Sequence, residues 1–299
     1  MSEVKQEVRE FYDQVGWSLV GEDLYQNAHY EDLRPVSQEY ILRCHRRVGR
    51  HLKPGGRILL DAGSGPIQYP AYLEYSQGYK YRLCADISIT ALKEARKRIG
   101  DHGLYVVTDI ANLPFKADVF DGVVSLHTIH HLPEEEHLQA YSELYRVLAP
   151  GSSAVVVNGW PSSALMKRFE SLVRFSLRVR SLFQRLAGKS ESRLQGENAP
   201  AKKKKQRPEN SSPKGTFTSR HDVAWMRSEV GSRMPLEILA WRSASVRFLR
   251  NLIFPWLGGR YWLRLLYRLE ERSPQQYGET GQYPLIVIQK MSKEDSTEA

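Results

Sequence analysis

An apolar run that ends in a glycine turn, at residues 57–66, constrains the fold of this chain more than any other feature. Residues 58–60 are Ile-Leu-Leu without a helical period, Asp61 ends the run, and Gly-Ser-Gly follows at 63–65. A buried parallel strand that enters a tight turn has this pattern. Glycines let the backbone turn sharply and leave no Cβ between the backbone and a ligand. Because ligands of open α/β sheets bind at the carboxyl ends of the strands, the stretch also predicts a binding site.

Further apolar runs follow at spacings that suit a repeated strand–helix unit. The second and third runs end in the acids Asp86 and Asp109. Two more runs, at 119–127 and 151–158, are separated by a helical pattern. This alternation predicts a parallel sheet with right-handed crossovers. A carboxylate at the end of the second strand, such as that of Asp86, can accept hydrogen bonds from both hydroxyls of a ribose.

The series resembles the class I S-adenosylmethionine-dependent methyltransferases, in particular the group that methylates small molecules and lipid quinones. The resemblance covers roughly residues 55–160 and rests on spaced motifs: Leu-Asp-Ala-Gly-Ser-Gly at 60–65, Asp86, Asp109 with Leu-Pro-Phe at 113–115, Phe120-Asp121, and His-His-Leu-Pro at 130–133. It implies an α/β fold with a Rossmann-like, seven-stranded, mostly parallel sheet and helices on both faces. The last strand would be antiparallel at position seven, and a helical and disordered insertion would follow strand five.

The resemblance also implies S-adenosyl-L-methionine as the cofactor and assigns residues to it. The acid before the glycine turn and the turn itself would line the methionine end, Asp86 would hold the ribose, and Asp109 would accept from the adenine amino group. The implied cofactor-binding residues are Asp61, Gly63, Ser64, Gly65, Asp86, Ile87, Asp109, Ile110, Leu126 and His127. One position departs from the pattern, because Ile67 stands where such families often carry a small residue.

The implied reaction is in-line (SN2) attack of an acceptor nucleophile on the methyl group of the cofactor. Alignment of the reacting atoms and exclusion of water are then the main tasks of the protein. A general base is needed only where the nucleophile arrives protonated. Among the histidines at 127, 130 and 131, which titrate near neutrality, His130 is the candidate base. The alternative is that His130 forms a polar wall of the pocket.

Acceptor-binding candidates come from two regions of the chain. Tyr12 and Trp17 belong to an N-terminal cover, and Asn158 and Trp160 follow the fifth strand. Each of the two cover residues could equally be aromatic packing on the sheet. No His or Cys cluster has zinc spacing, so the sequence predicts no metal site.

Composition and charge divide the chain into five segments. The formal net charge is +9, and residues 161–220 alone carry fifteen Lys or Arg and four Glu. The predicted segments are an N-terminal helical cover at 1–54, a cofactor-binding core at 55–160, a basic amphipathic helix with a disordered Lys-rich loop at 161–220, the C-terminal part of the fold with an aromatic and Arg-rich helical insert at 221–291, and a tail at 292–299.

The basic helix within 162–187 allows two interpretations. Its apolar residues recur at helical spacing among Lys and Arg, which suits peripheral contact with an anionic membrane surface. It could equally be a lid helix that packs on the sheet with a solvated basic side. Residues 188–215, with four lysines at 202–205, predict a disordered loop.

These features favour an enzyme, a methyltransferase for a small-molecule or lipid-linked acceptor. The alternatives are an RNA methyltransferase that uses the basic insertion and a protein that binds the cofactor without turnover. An RNA acceptor is disfavoured because no RNA-binding module is recognisable. A nicotinamide dehydrogenase is disfavoured because an acid precedes the glycines and Asp109 would have no use there.

Two further properties concern the location of the protein. No run of about eighteen apolar residues predicts a transmembrane helix, and the polar first ten residues lack the apolar core of a signal peptide. The two cysteines form no disulfide framework. We therefore expect a cytoplasmic protein, which would contact the inner membrane surface peripherally if the basic helix lies on the bilayer.

Overall fold

A seven-stranded sheet organises the chain in a computed structural model that describes residues 2–21, 24–194 and 216–292. Its strands, preceded by the short hairpin of β1 (Leu19–Gly21) and β2 (Leu24–Tyr25), are β3 (Gly56–Ala62), β4 (Tyr79–Asp86), β5 (Gly103–Val107), β6 (Gly122–Leu126), β7 (Ser153–Val157), β8 (Leu236–Arg242) and β9 (Tyr283–Gln289). The spatial order is β5-β4-β3-β6-β7-β9-β8. The paired strands from β5 to β7 are parallel, and β9 is antiparallel to both of its neighbours. The predicted fold class is confirmed.

The central strands are buried on both faces of the sheet. In β3, Leu59 and Leu60 are both fully buried, but they belong to different hydrophobic clusters. In β7, Val155 and Val156 divide in the same way. Because successive side chains of a strand point to opposite faces, a strand covered on both sides consists of consecutive apolar residues. This explains why the run at 58–60 has no helical period.

Helices cover both faces of the sheet. They are α1 (Glu3–Phe11), α2 (Pro35–Arg47), α3 (Ile89–Ile99), α4 (His137–Val147), α5 (Ala164–Arg168), α6 (Glu170–Leu194), α7 (Val223–Trp225), α8 (Val246–Leu252), α9 (Gly259–Arg272) and α10 (Pro274–Thr280). Buried residues of α2, α3 and α9 belong to one hydrophobic cluster, and those of α4 belong to the other. No helix in the described ranges is long and apolar enough to cross a membrane.

The chain order reverses between β3 and β6. From β3 the chain continues to β4 and β5 on one side, whereas β6 and β7 lie on the other side. The crossover helices cannot fill the space above such a switch point, so a crevice forms at the carboxyl ends of the two strands. The turn after β3 and the loop after β6 therefore face each other across this crevice.

The insertion after β7 begins as predicted but stays helical for longer. The predicted loop starts at Gly188, whereas α6 ends at Leu194. A single glycine costs a helix only about 1 kcal/mol, and the Ala, Leu, Arg, Lys and Glu residues around it favour the helix. The rest of the predicted loop, at 195–215, lies outside the described residues.

Candidate active site

A cavity of about 500 Å³ lies at the carboxyl ends of the central strands. At one end it is lined by the glycine turn at 63–65, Asp86 and Ile87, which we call the glycine-turn side. At the other end it is lined by Trp241 and Arg242, which we call the Arg242 side. Between β4 and β8 lie four other strands of the sheet. Residues of the loop after β6 lie between the two sides.

Glycine is required at the first position of the turn after β3. Gly63 has a φ of +76°, and a Cβ built there would lie 2.1 Å from a side-chain atom of Thr128. The hydroxyl of Thr128 donates to the carbonyl oxygen of Gly63 over 3.1 Å. A side chain at this position would therefore strain the backbone and push the loop after β6 away.

The carboxylate of Asp86 is held by backbone donors at the end of β4. Its oxygens accept from the amides of Gly65 and Ser88, each over 2.8 Å. Burial raises the pKa of Asp86 to about 6, although the two backbone donors oppose this rise. Because Asp86 also lines the cavity, its carboxylate can accept hydrogen bonds from ligand hydroxyls.

Three of the predicted cofactor residues do not line the cavity, namely Asp61, Asp109 and Ile110. Asp61 is buried behind the turn and accepts from Nε of Arg82 over 3.1 Å, because a buried guanidinium requires a charged partner. Asp109 accepts from the amide of Ala111 over 2.9 Å and pairs with the ammonium of Lys5. Ile110 belongs to the core. Gly63, Ser64, Gly65, Asp86, Ile87, Leu126 and His127 do line the cavity.

The N-terminal cover closes over the glycine-turn side. The hydroxyl of Tyr12 lies 2.8 Å from Nε2 of His131, and Nδ1 of His131 lies 2.8 Å from the carbonyl oxygen of Phe217. A carbonyl can only accept, so Nδ1 of His131 carries the proton and Tyr12 donates to Nε2. Trp17 stacks on Tyr12 with ring centroids 4.9 Å apart. A Cβ on Gly65 would lie 3.2 Å from the Trp17 ring, which therefore lies directly on the turn.

A lysine that sequence analysis missed anchors this cover. Lys5 on α1 is 3% exposed, and its ammonium pairs with the carboxylates of Asp109 and Glu136. The two carboxylates outweigh burial and raise the pKa of Lys5. The polar sequence of α1 contains no signal for this role, because both partners are more than one hundred residues away.

The histidines at 127, 130 and 131 all line the cavity and are neutral at pH 7. Burial, together with the charge of Arg220, lowers the pKa of His127 to about 3 and that of His131 to about 4. Burial lowers the pKa of His130 as well, with contributions from the neighbouring histidines and Arg220. Each imidazole therefore offers one unprotonated nitrogen.

The candidate base His130 is oriented by Asn158. The amide nitrogen of Asn158 donates to the hydroxyl of Tyr141 over 3.3 Å, so its oxygen faces Nδ1 of His130, 3.3 Å away. Nδ1 of His130 is then the donor, and Nε2 is the atom that can accept a proton. Asn158 itself borders a separate cavity of about 20 Å³ and does not line the large one.

Trp160, the other acceptor candidate after β7, does not line the large cavity either. It is 3% exposed, and its indole nitrogen donates to the carbonyl oxygen of Gly278 over 2.8 Å. The buried N–H needs this acceptor, and the bond fixes the ring against α10. Tyr12 and Trp17, by contrast, do line the large cavity.

The Arg242 side of the cavity contains residues that sequence analysis missed. Arg242 is 2% exposed and donates to a carboxylate oxygen of Glu31 over 2.6 Å. Its guanidinium carbon lies 4.6 Å from the centre of the Tyr283 ring. The ring of His45 is nearly parallel to that of Trp241, 5.5 Å away. The one sequence signal is an arginine that directly follows a largely apolar run at 235–241.

No group of three or more His, Cys, Asp or Glu residues that could hold a metal ion occurs within the described ranges.

Comparison with known proteins defines the class of the domain. Residues 60–156 match the family model described as methyltransferase domain. Probable tRNA methyltransferase 9B of Mus musculus is 30% identical over 145 residues, which cover 47% of this chain and 30% of that protein. Methyltransferase GfsG of Streptomyces halstedii is 26% identical over 163 residues, which cover 51% of this chain and 57% of that protein. A solved structure of geranyl diphosphate methyltransferase in complex with GPP and sinefungin aligns over 97% of this chain and 100% of that chain, at 14% identity and a TM-score of 0.54.

The fold and the family match together define a class I S-adenosylmethionine-dependent methyltransferase domain, as the sequence motifs predict. The match covers 97 of the 299 residues, and together with the fold it supports S-adenosylmethionine as the cofactor of the matched segment. The aligned segments cover 30% and 57% of the two curated relatives. The structural match at 14% identity supports the fold alone.

Proposed function

We propose that the protein transfers the methyl group of S-adenosylmethionine to a small-molecule or lipid-linked acceptor. The observation that carries the proposal is the cavity of about 500 Å³, which extends from the glycine turn and Asp86 to Arg242. Its volume lies within the range of small-ligand sites, about 300–1,000 Å³. The N-terminal cover lies over the glycine-turn side, so a compact acceptor fits this site better than a nucleic acid duplex.

The residues on the glycine-turn side fit the cofactor. Bound S-adenosylmethionine supplies an activated methyl group with a good leaving group. Asp86 accepts hydrogen bonds from the ribose hydroxyls, and the turn at 63–65 allows close approach of the backbone. Trp17 and Tyr12 exclude water. Nε2 of His130 takes a proton where the acceptor arrives as a hydroxyl or an acidic carbon.

Labelling of the acceptor tests the proposal directly. The protein is incubated with methyl-labelled S-adenosylmethionine and an extract of its own host, and the products are separated into organic, polar small-molecule and RNA fractions. Label in the organic or the polar small-molecule fraction supports the proposal. The distribution of label between these two fractions identifies the chemical class of the acceptor. The Asp86→Asn variant, which changes the cofactor site, is the control that shows how much label is incorporated independently of that site. Label in the RNA fraction alone, or no label despite intact cofactor binding, contradicts the proposal.

An exposed apolar and basic surface supports a peripheral contact with an anionic membrane surface. Phe175 on α6 is 66% exposed, and arginines lie among the apolar residues of the same helix. The hydroxyl of Ser176 donates to the carbonyl oxygen of Asn251 over 2.7 Å, which joins α6 to α8. The segment directly after α8 contains Trp256, which is 77% exposed, and the following helix α9 contains Trp262, which is 55% exposed. Aromatic rings beside basic residues suit the headgroup region of a bilayer.

Vesicle binding tests the membrane contact. The protein should sediment with vesicles that contain phosphatidylserine and remain in solution with pure phosphatidylcholine. The double variant Phe175→Ser/Trp256→Ser should bind the anionic vesicles more weakly, because it loses apolar side chains that would enter the interface. A matched control is Leu104→Ser, which changes an exposed apolar residue of β5, at the other edge of the sheet from β8. Equal sedimentation of all three proteins contradicts the contact.

An RNA acceptor is the second candidate, favoured by the similarity to a probable tRNA methyltransferase. The basic segment at 161–220 would then guide the nucleic acid by charge. The RNA fraction of the labelling experiment distinguishes the two candidates. RNA affinity that falls steeply with salt would support this second function.

A further inference from the structure

The Arg242 side of the cavity combines positive charge with aromatic walls, and from this combination we infer the chemistry of the acceptor. We propose that the acceptor is a small molecule that presents an acidic group, a carboxylate or a phosphate, to Arg220 beside Arg242. A ring or other apolar body of the same molecule lies against the aromatic walls. The inference rests on the proposed methyl transfer and specifies its substrate class.

Arg220 is the residue that carries the argument. It lines the cavity, its side chain is exposed, and it forms no ion pair or hydrogen bond among the described residues. An unpaired guanidinium in a ligand cavity is well suited to bidentate recognition of a carboxylate or phosphate. The cavity wall therefore holds an arginine that is free to pair with a ligand.

The chain around Arg220 fixes its position over the histidine loop. The amide of Ser219 donates to the carbonyl oxygen of His130 over 2.9 Å, and the carbonyl oxygen of Phe217 accepts from His131 over 2.8 Å. These two bonds hold the backbone directly before Arg220 against the loop that contains the candidate base. A ligand bound to Arg220 is therefore close to His130.

The guanidinium group of Arg220 lies near the aromatic wall, beside Gly159. A Cβ built on Gly159 would lie 3.4 Å from the Tyr283 ring and 3.6 Å from the guanidinium carbon of Arg220. On the same ring, the guanidinium carbon of Arg242 lies 4.6 Å from the centroid. Both arginines also lower the pKa of His127 through their charge. The two guanidinium groups thus act on the same part of the cavity, with Tyr283 between them.

The local charge on this side is positive. Glu31 lines the cavity and pairs with Arg242, so it offsets only one of the two arginines. The neighbouring histidines are neutral at pH 7, because burial lowers the pKa of His45 and of His127 to about 3 each. The positive charge of Arg220 is therefore left for the ligand. A bound cofactor would add the charge of its sulfonium from the glycine-turn side.

Two buried donors strengthen the preference for a ligand rich in oxygen. The Nε–H of Arg242 and the indole N–H of Trp241 have no hydrogen-bond partner among the described residues. Both residues line the cavity and are 2% exposed. Unsatisfied buried donors are costly, and a ligand oxygen would satisfy these two after a small movement of the side chains, because both nitrogen atoms are closed to solvent in this structure.

The aromatic wall supplies the surface for the apolar body of the acceptor. The rings of Tyr69 and Tyr72, like those of Trp241 and Tyr283, line the cavity. Ring centroids of Tyr69 and Tyr72 are 5.3 Å apart, and those of Trp241 and Tyr283 are 5.8 Å apart. Aromatic walls of this kind stack on planar groups or pack against apolar chains.

Matched small probes test the inference on the 299-residue chain. Benzoate, phenyl phosphate and the neutral benzamide are titrated by calorimetry at pH 7 with saturating S-adenosylhomocysteine, whose own binding is measured first. We expect benzoate or phenyl phosphate to bind at least about tenfold more tightly than benzamide, because only they can pair with a guanidinium. The better of the two anions distinguishes a carboxylate acceptor from a phosphate acceptor.

Variants of the two arginines complete the test. Arg220→Gln should weaken binding of the preferred anion about tenfold and leave S-adenosylhomocysteine affinity unchanged, and Arg220→Lys should give an intermediate loss. Arg233→Gln removes the same charge from an exposed arginine that does not line the cavity, and should change nothing. Equal binding of anions and benzamide, or an Arg220→Gln variant that binds anions as the wild type does, overturns the inference. Failure of S-adenosylhomocysteine to bind overturns the proposed function and this inference with it.

Discussion

The hydroxyl of Tyr12 donates a hydrogen bond to Nε2 of His131 over 2.8 Å, and so joins the N-terminal cover to the loop that follows β6. Tyr12 follows α1, the helix that carries the buried Lys5. The cover is therefore attached to the core by the ion pairs of Lys5 and by this hydrogen bond. Asp13 adds a further attachment, because its carboxylate accepts from the hydroxyl of Ser88 and from the amide of Thr90.

The Tyr12→Phe variant should bind S-adenosylhomocysteine more weakly. The lost bond contributes about 0.5–1.5 kcal/mol to closure of the cover, which corresponds to roughly a two- to twelvefold loss in affinity. Titration calorimetry measures the change. Tyr261→Phe removes a hydroxyl from an exposed tyrosine on α9, away from the cavity, and should have no effect. Equal affinities of wild type and Tyr12→Phe would show that the bond does not hold the cover closed.

Stability should fall as the pH is lowered from about 6.5 towards 4. The usual pKa of histidine is about 6.5, whereas burial lowers the pKa values of His45, His127 and His131 to about 3, 3 and 4. A histidine whose pKa is lower in the folded than in the unfolded protein is protonated first in the unfolded protein as the pH falls. Its contribution to the free energy of unfolding is therefore complete above pH 6.5 and is lost as the pH falls below that value. Asp86, whose pKa is raised to about 6, acts in the opposite direction and offsets part of the loss.

Urea denaturation at several pH values between 7.5 and 5 measures this dependence. Each histidine contributes at most about 1.4 kcal/mol per pH unit to the slope of the free energy of unfolding. His131→Asn retains a polar side chain that does not titrate, and should give a shallower slope. An unfolding free energy that is constant over this range would show that these histidines are not held neutral.

Two glycine substitutions separate backbone strain from crowding. Gly63 and Gly258 both have positive φ angles, of +76° and +70°. Nothing lies within 4 Å of a Cβ on Gly258, whereas a Cβ on Gly63 meets Thr128 at 2.1 Å. Gly258→Ala should therefore cost only the backbone strain, about 1 kcal/mol. Gly63→Ala should cost about 1–3 kcal/mol and should also abolish measurable cofactor binding, because the turn and the loop after β6 must separate.

Thermal unfolding and titration with S-adenosylhomocysteine measure the two effects independently. A Gly63→Ala variant with unchanged cofactor affinity would contradict the role that we assign to the turn. The Gly258→Ala variant provides the reference for the strain alone.

Asp86→Ala should lower cofactor affinity by roughly 1.5–3 kcal/mol, or about 10- to 150-fold, because charge-assisted hydrogen bonds to the ribose are lost. Asp109→Asn is the informative comparison, since Asp109 does not line the cavity and pairs with Lys5. We expect Asp109→Asn to lower the melting temperature more than it lowers cofactor affinity. Equal losses of affinity in the two variants would instead support the direct adenine contact that the family resemblance implies.

Local motifs were sufficient to predict the sheet and the glycine-turn side. The strand, the turn and Asp86 are encoded within short stretches whose residue types are set by burial and backbone geometry. Even there, some details could not be predicted, among them the residue at position 67. Ile67, where a small residue was expected, is fully buried with a φ of +56°, a conformation that β-branched residues rarely adopt.

The Arg242 side could not be predicted because it is assembled from segments far apart in the chain. Glu31 and Arg242 are 211 positions apart, and they meet because α2 and β8 contribute to the same core cluster. In the sequence, Arg242 is an arginine at the end of a strand and His45 is one of several basic residues on a helix. Only the packing shows that both line the cavity.

The Arg242 side of the cavity, to which we assign the acceptor, has a consequence for how such a protein diversifies. Glu31, His45, Arg220, Trp241 and Tyr283 all lie outside the family match at 60–156, whereas the glycine turn, Asp86 and the histidine loop lie inside it. The flanking segments can thus accumulate changes that alter what is methylated while the chemistry of the methyl donor stays intact. Substrate choice in this architecture is a separable trait, and grafting the flanks of one such chain onto the central domain of another is a rational route to new methyl acceptors.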